Sequence, residues 1–392
     1  MLKHLIPIPA GIDPHVHFRT PGHEYKEDWV TASQAALCGG ICMVIDMPNN
    51  DPACITQKRL IAKRKMIDQM HLPIRYDFYL GADQNHLEEI AKSDSIAVKV
   101  FMGSSTGTLL MDDQEDLEQV FRKAKLVAVH AEDETILRNS AWKSTDPADH
   151  SRMRPNRAAA VAVERAINLC RKYGTKLYIL HMSTKEEVEL VRRAKKEGLP
   201  LFAEVTPHHL FLSTEDYSRL GTLAQMNPPL RSLEDQEALW DAISDGTIDT
   251  LGSDHAPHTL EEKRAPYGKA PSGVPGIETM LPLMLDAVNR GRLTLERLVE
   301  MSHFNILKIF DLPPNDDVLW VDMQLTQKVE EFKSKCGWSP FQGRVLTGWP
   351  QFIRVKGKLF SLERTAERPQ FLESGKALPP YDPQRWRLVH DR

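Results

Sequence analysis

His15 and His17, in the stretch DPHVHFR, stand two residues apart in a run that reads as a β-strand. Side chains at that spacing point the same way, so both imidazoles face one site. Further along, His130 closes LVAVH, His181 follows KLYIL, and Asp254 sits in SDHAPH, with His255 beside it and His258 close behind. A lone histidine is usually an ordinary core or surface residue. Four histidines and an aspartate recurring after strand-like runs form a ligand set. Neutral imidazole and carboxylate suit zinc, with manganese or iron as alternatives. His255 and the pair His208-His209 read as surplus to that set, with capping or outer roles.

Lys99 is the odd residue in the apolar run AVKVFM. Burying an ammonium is costly unless it is paired, neutralised or bound. The bland reading is a lysine that snorkels from a strand end. Beside metals the balance changes, because an ammonium ~4 Å from a divalent ion is repelled by roughly 8 kcal/mol at an effective dielectric of about 20. A desolvated lysine has a depressed pKa. Its neutral amine can take up carbon dioxide, and the resulting carbamate is an anion able to bridge two metals.

These residues need a scaffold that gathers strand ends. Eight β-rich runs alternate with helical patterns: GIDPHVHF, CMVIDMP, RYDFYLG, AVKVFM, LVAVHAE, KLYILHMS, PLFAEVTPHH and DTLGSDHAP. Helices are expected over 26–37, 56–70, 113–123, 158–173, 185–197 and 234–244, with an eighth within 278–289. Thr56 and Ser183-Thr184 read as caps. Strands alternating with helices predict a parallel sheet, and eight repeats predict closure into an α/β (β/α)₈ TIM barrel over 11–312. In such a barrel reactive side chains come from the C-terminal ends of the strands. Residues 1–10 with 313–362 predict a small β appendage built from the chain ends, mainly the C-terminal one. Residues 363–392 read as a surface tail.

The bulk numbers exclude several classes. The chain has 392 residues, 41% hydrophobic and 27% charged, within the range of globular proteins. A formal charge of −4 gives no case for nucleic acid or anionic membranes. No run approaches the length of a membrane span, and MLKHLIPIPAGID lacks a signal peptide's apolar core. The five cysteines, Cys38, Cys42, Cys54, Cys170 and Cys336, form no CxxC pair and read as reduced thiols of a cytoplasmic protein.

HVHFRTPG, DMPNN, VHAE, ILHMS, NPPLR and SDHAPHTLEEK, followed by GVPGIETMLP, resemble the dihydroorotases of the amidohydrolase superfamily. The resemblance runs in order from about residue 11 to 312. It implies reversible hydrolysis and cyclisation between N-carbamoyl-L-aspartate and L-dihydroorotate in pyrimidine biosynthesis. It implies two zinc ions, shared by a hydroxide and a carboxylated Lys99. His15, His17 and Asp254 would hold the more buried metal, and His130 and His181 the second. Asp254 would also act as base and then acid. Arg19, Asn49, Asn227 and His258 resemble the residues that hold the substrate's carboxylate and ring amide, as does the backbone at Pro275 and Gly276. An arginine fork suits a planar carboxylate. The loop GSSTGTLLMDD has a lid's length and small residues, with Ser105 and Thr106 in reach of substrate.

Fourteen residues precede His15, where free-standing relatives usually carry more strands, so the appendage is expected to be reduced. That arrangement is similar to the dihydroorotase unit of the animal multifunctional pyrimidine enzyme. A partner, a second copy or aspartate transcarbamoylase, is expected to cover the exposed edges. Hydantoinases and allantoinases share the barrel, metals and lysine, but tend to lack His258 or Arg19. A non-catalytic scaffold for transcarbamoylase would have lost ligands, whereas every metal position here is filled.

Overall fold

The computed structural model describes residues 4–105, 107, 109–363, 366–372 and 378–390. Eight parallel strands, β2 to β9, pair in sequence order: Gly11–Val16, Ile41–Asp46, Arg75–Gly81, Ala97–Phe101, Leu126–His130, Lys176–Ile179, Leu201–Val205 and Thr250–Leu251. Every one of the eight expected runs supplies a strand. They read as near-continuous apolar segments because both faces of a parallel sheet are covered, one by the barrel interior and one by helices. The ring closes where Val16 bridges His255 and the His17 amide donates to the His255 carbonyl at 2.8 Å.

The covering helices follow the expected pattern. They include Trp29–Cys38, Gln57–Asp68, Gln114–Lys123, Asn156–Tyr173, Lys185–Lys196, Leu233–Ser244 and Met280–Asn289. Thr56 caps the second of these. Thr184 caps the fifth in a reciprocal box with Glu187, so two otherwise orphaned amides find partners. The helix Asn156–Tyr173 buries Ala158, Ala159, Ala162, Val163, Ala166, Ile167, Leu169 and Cys170, an apolar face rich in alanine. Between β4 and β5 the crossover shrinks to one helical turn, Glu89–Lys92.

A second, antiparallel sheet has the order β1-β10-β11-β12-β13, with β1 at Ile6–Pro9, β10 at Val318–Lys328, β11 at Val345–Val355, β12 at Lys358–Ser361 and β13 at Gln370–Leu372. Four of its five strands come from the C-terminal part, as expected for the appendage. The sheet runs past residue 362, because β13 pairs with β12. Beyond it, the helix Pro383–His390 sets Trp386 into the main core, and the Trp320 indole donates to the Pro379 carbonyl. Cys38, Cys42, Cys54 and Cys170 are buried, and Cys336 is partly buried. Among the described residues no helix is long and apolar enough to cross a membrane.

Candidate active site

One cleft opens at the C-terminal ends of the barrel strands. His15, His17, Arg19, Asn49, Lys99, Ser105, His130, His181, Asn227 and Asp254 line it, together with Phe101, Ala256, Ser272 and Gly273. The barrel thus brings together nine of the residues singled out for ligation or substrate binding. Thr106, paired with Ser105 as a lid candidate, lies outside the described residues. His258, Pro275 and Gly276 do not line the cleft, His258 lying behind Arg19; Ser272 and Gly273 do line it. Gly276 packs behind it, where a Cβ would come within 2.6 Å of the Ser253 carbonyl, and its amide donates to His255 Nδ1.

His15, His17 and His130 turn one nitrogen inward and tie the other down, whereas His181 Nδ1 is buried with no hydrogen-bond partner among the described residues. His15 Nε2 and His17 Nε2 each lie 3.2 Å from Asp254 Oδ1, and His130 Nδ1 lies 3.0 Å from His181 Nε2. On the outward side, His15 Nδ1 donates to Glu204 at 2.7 Å, His17 Nδ1 to Asn49 Oδ1 at 2.6 Å, and His130 Nε2 to Glu132 at 3.0 Å. A ligand atom each from His15, His181 and Asp254 lies within 4.8 Å of the others. Burial pushes the imidazoles of His17, His130 and His181 below their usual pKa, which keeps them neutral with a lone pair available. Burial alone would raise the Asp254 carboxyl, but His15, His17 and His181 hold it well below the carboxylate range. Neutral imidazoles, an ionised carboxylate and fixed outward hydrogen bonds are the donor set a divalent cation requires.

Lys99 points into the same cleft from β5. Its Nζ is buried with no hydrogen-bond partner and sits 4.5 Å from the centre of the Phe101 ring. Burial pulls the ammonium down to about 7, against the opposing pull of Asp254 and Glu204. The snorkelling alternative fails, because the side chain is 1% exposed. An orphaned amine facing imidazoles fits a group that is completed by something else, either a metal-bridging carbamate or a ligand.

The opposite wall is positively charged. Arg19 is 5% exposed and makes no ion pair with a carboxylate among the described residues. Its Nε donates to the Pro257 carbonyl, and burial draws its pKa down to about 10. One guanidinium nitrogen lies 3.1 Å from His258 Nε2. Lys26 donates to His258 Nδ1 at 3.0 Å, so in the neutral ring Nε2 carries the hydrogen and donates to the Ser272 carbonyl. The approach of Arg19 to that nitrogen sets donor against donor, a geometry that an anion between them would relieve. Burial, with Arg19, Lys26 and Lys263 nearby, pushes His258 well below the histidine range.

Three site residues pay for their placement in backbone conformation: Arg19, His181 and Asp254 have φ of 60°, 37° and 45°. A left-handed backbone at residues other than glycine costs of the order of 1 kcal/mol each and persists where surrounding contacts enforce it.

Several supporting residues were missed from the sequence. Glu204, fully buried, receives His15 Nδ1, the His181 amide and the Tyr178 hydroxyl. A Cβ on Gly252 would fall 2.5 Å from its carboxylate, so glycine there makes room for it. Glu204 stands in PLFAEV as Lys99 does in AVKVFM, and the same test of a charge in an apolar strand would have found it. Glu132 holds His130 on one side and Arg154 on the other, and Arg154 also reaches the Ser104 carbonyl of the loop after β5. The connection between β10 and β11 crosses to the barrel mouth, which no local signal announces. There the Lys333 and Ser334 amides donate to Glu278, Ser334 and Lys335 bind Glu27, and the Trp338 indole donates to the His258 carbonyl at 2.8 Å.

The pattern of the Amidohydrolase family matches residues 6–315. The chain belongs to the amidohydrolase family. The chain is similar to the dihydroorotase of Methanosarcina mazei, 38% identical over 95% of this chain and 88% of that protein. The multifunctional protein CAD of Squalus acanthias is 34% identical over 91% of this chain, which spans 15% of that protein. Among solved structures, the L-hydantoinase (dihydropyrimidinase) of Arthrobacter aurescens superposes with a TM-score of 0.87 at 31% identity, covering 94% of this chain and 87% of that one.

Proposed function

We infer that this amidohydrolase is a dihydroorotase, closing N-carbamoyl-L-aspartate to L-dihydroorotate and hydrolysing it back in pyrimidine biosynthesis. The observation that carries the substrate is Arg19, a buried guanidinium with no carboxylate partner among the described residues, beside His258 and across from the histidine cluster. A buried unpaired charge is costly, and a substrate carboxylate gripped in two places removes that cost. Hydantoins and allantoin lack a carboxylate at that place and would leave Arg19 without a counter-charge.

His15, His17 and Asp254 would hold one zinc ion, and His130 and His181 a second, with Lys99 between them as a carbamate. Bound there, the metals supply a nucleophile at neutral pH and Lewis acidity toward the scissile carbonyl. The chain's own residues do the rest. Arg19, His258, Asn49 and Asn227 orient the ring so that its amide carbon faces Asp254. Asp254 takes the nucleophile's proton on its carboxylate and returns it to the departing ring nitrogen, base and acid in turn. With its pKa drawn down to about 7, Lys99 has a neutral amine available near neutral pH; that amine would add carbon dioxide at Nζ and release one proton, which leaves an anionic ligand. Glu204, Glu132 and Asn49 keep the inward nitrogens aimed.

The test is ring opening of dihydroorotate by the zinc-loaded protein, with hydantoin and allantoin in parallel. Preferential turnover of dihydroorotate is expected. Inactivity toward it with metal content verified, or preference for hydantoin, would sink the reading. Among the described residues β1 and β13 each pair on one side only, leaving two edges that a second copy of this chain or aspartate transcarbamoylase could cover. Light scattering of the protein alone and mixed with that enzyme separates the two.

A further inference from the structure

His150 belongs to none of the motifs, yet it is buried at the start of the short helix His150–Met153 in the connection between β6 and β7. Its Nε2 lies 3.0 Å from the Met226 carbonyl oxygen and 2.9 Å from Asn227 Oδ1, and its Nδ1 lies 3.0 Å from the Tyr267 hydroxyl. A backbone carbonyl only accepts, so Nε2 carries the hydrogen. The amide atom of Asn227 beside it is then the oxygen, because an NH₂ there would face donor with donor. Nδ1 keeps its lone pair and accepts from Tyr267. Burial, reinforced by Arg154, draws the ring down to about 4, so it stays neutral at ordinary pH. Asn227 lines the cleft, and among the described residues no group takes up its Nδ2.

We propose that His150 is a positioning residue that turns Asn227 so that an N–H donor, and not an oxygen, faces the substrate. This corner of the site then selects an oxygen acceptor and rejects a ligand that presents N–H there. The inference rests on the dihydroorotase reading for the identity of that acceptor, a carboxylate or ring-carbonyl oxygen, but the amide's orientation stands on the His150 contacts alone.

Steady-state kinetics with dihydroorotate compares wild type, His150→Leu, His150→Gln and Asn227→Asp, each checked for metal content and melting temperature. Leucine removes the donor, and glutamine keeps one near Nε2. His150→Leu is expected to raise KM about tenfold with kcat within threefold, a change of about 1.4 kcal/mol, at the upper end of what one hydrogen bond is worth. His150→Gln is expected to return KM to within threefold of wild type. Asn227→Asp, which replaces the donor by an acceptor, is expected to raise KM at least tenfold even if the leucine variant fails to fold. A folded His150→Leu with wild-type KM, a loss confined to kcat, or an unchanged KM in Asn227→Asp would overturn the proposal. The ring ¹⁵N spectrum of His150, assigned by its disappearance in His150→Gln, reads the tautomer directly. An Nε2–H form is expected. An Nδ1–H or charged ring at pH 7 overturns the proposal whether or not dihydroorotate is turned over, whereas an inert wild type with the Nε2–H form sinks only the dihydroorotase reading.

Discussion

Lys99 and Arg19 are both buried cations without an anionic partner among the described residues, and the chemistry expected of each differs. Lys99 has lost most of its hold on a proton, with its pKa near 7, so it can become a carbamate. Arg19, at about 10, stays charged and waits for an anion. Lys99→Ala is therefore expected to bind less than half the wild-type zinc, measured by elemental analysis after gel filtration, and to lose activity in proportion. Full metal occupancy in that variant would remove Lys99 from the metal site. Arg19→Met is expected to keep its metal while kcat/KM for dihydroorotate falls about 10- to 100-fold, the range of 1.5–3 kcal/mol for a hydrogen bond to a charged group. An equal fall with a substrate lacking the carboxylate would mean that Arg19 supports the fold and not the anion.

At the level of elements, the strands aim the candidate ligands while long connections complete the cleft. β2, β6 and the turn after β7 present His15, His130 and His181, but His258 is held from outside the barrel by Trp338 in the β10–β11 connection. Removing that indole N–H leaves a buried carbonyl unpaired at a cost of about 1–3 kcal/mol. Trp338→Phe should consequently lower the urea midpoint and raise KM for dihydroorotate, with zinc content unchanged. If stability falls but KM does not move, the connection braces the fold without touching substrate binding.

For the molecule as a whole, Lys263 offers a pH signature remote from the ligand cluster. It is fully buried, donates to the Gln225 and Pro271 carbonyls, and burial brings it to about 7 from an ordinary 10.5. Between those values the unfolded chain binds a proton that the folded protein does not. Stability is thus expected to rise from pH 7 toward 10.5, by up to about 1.4 kcal/mol per unit, and to carry the full cost of the buried charge below 7. Urea titrations at pH 7 and 9 should show a steeper rise for wild type than for Lys263→Met. Parallel profiles would show that Lys263 keeps its proton throughout.

The eight strands, most helices and the polar residues that gather in the cleft were legible in the sequence because each rests on a local pattern: an apolar run, a cap, or a histidine or charge at a strand end. Lys99 stood out for that reason, and Glu204 would have by the same test. His150, Arg154 and Trp338 carry no such mark, since each acts on a residue distant in sequence and their partners meet when the ring closes. The substrate wall has the same origin. Pro275 and Gly276 follow SDHAPH closely along the chain, yet the loop turns Ser272 and Gly273 to the cleft, because backbone contacts of Gly276 with Ser253 and His255 hold the later pair behind it. Residue type and period specify which chemistry is available and on which strands. The direction a polar group faces, and hence whether an amide offers its oxygen or its N–H, is set by hydrogen bonds between segments that only packing brings within 3 Å of one another.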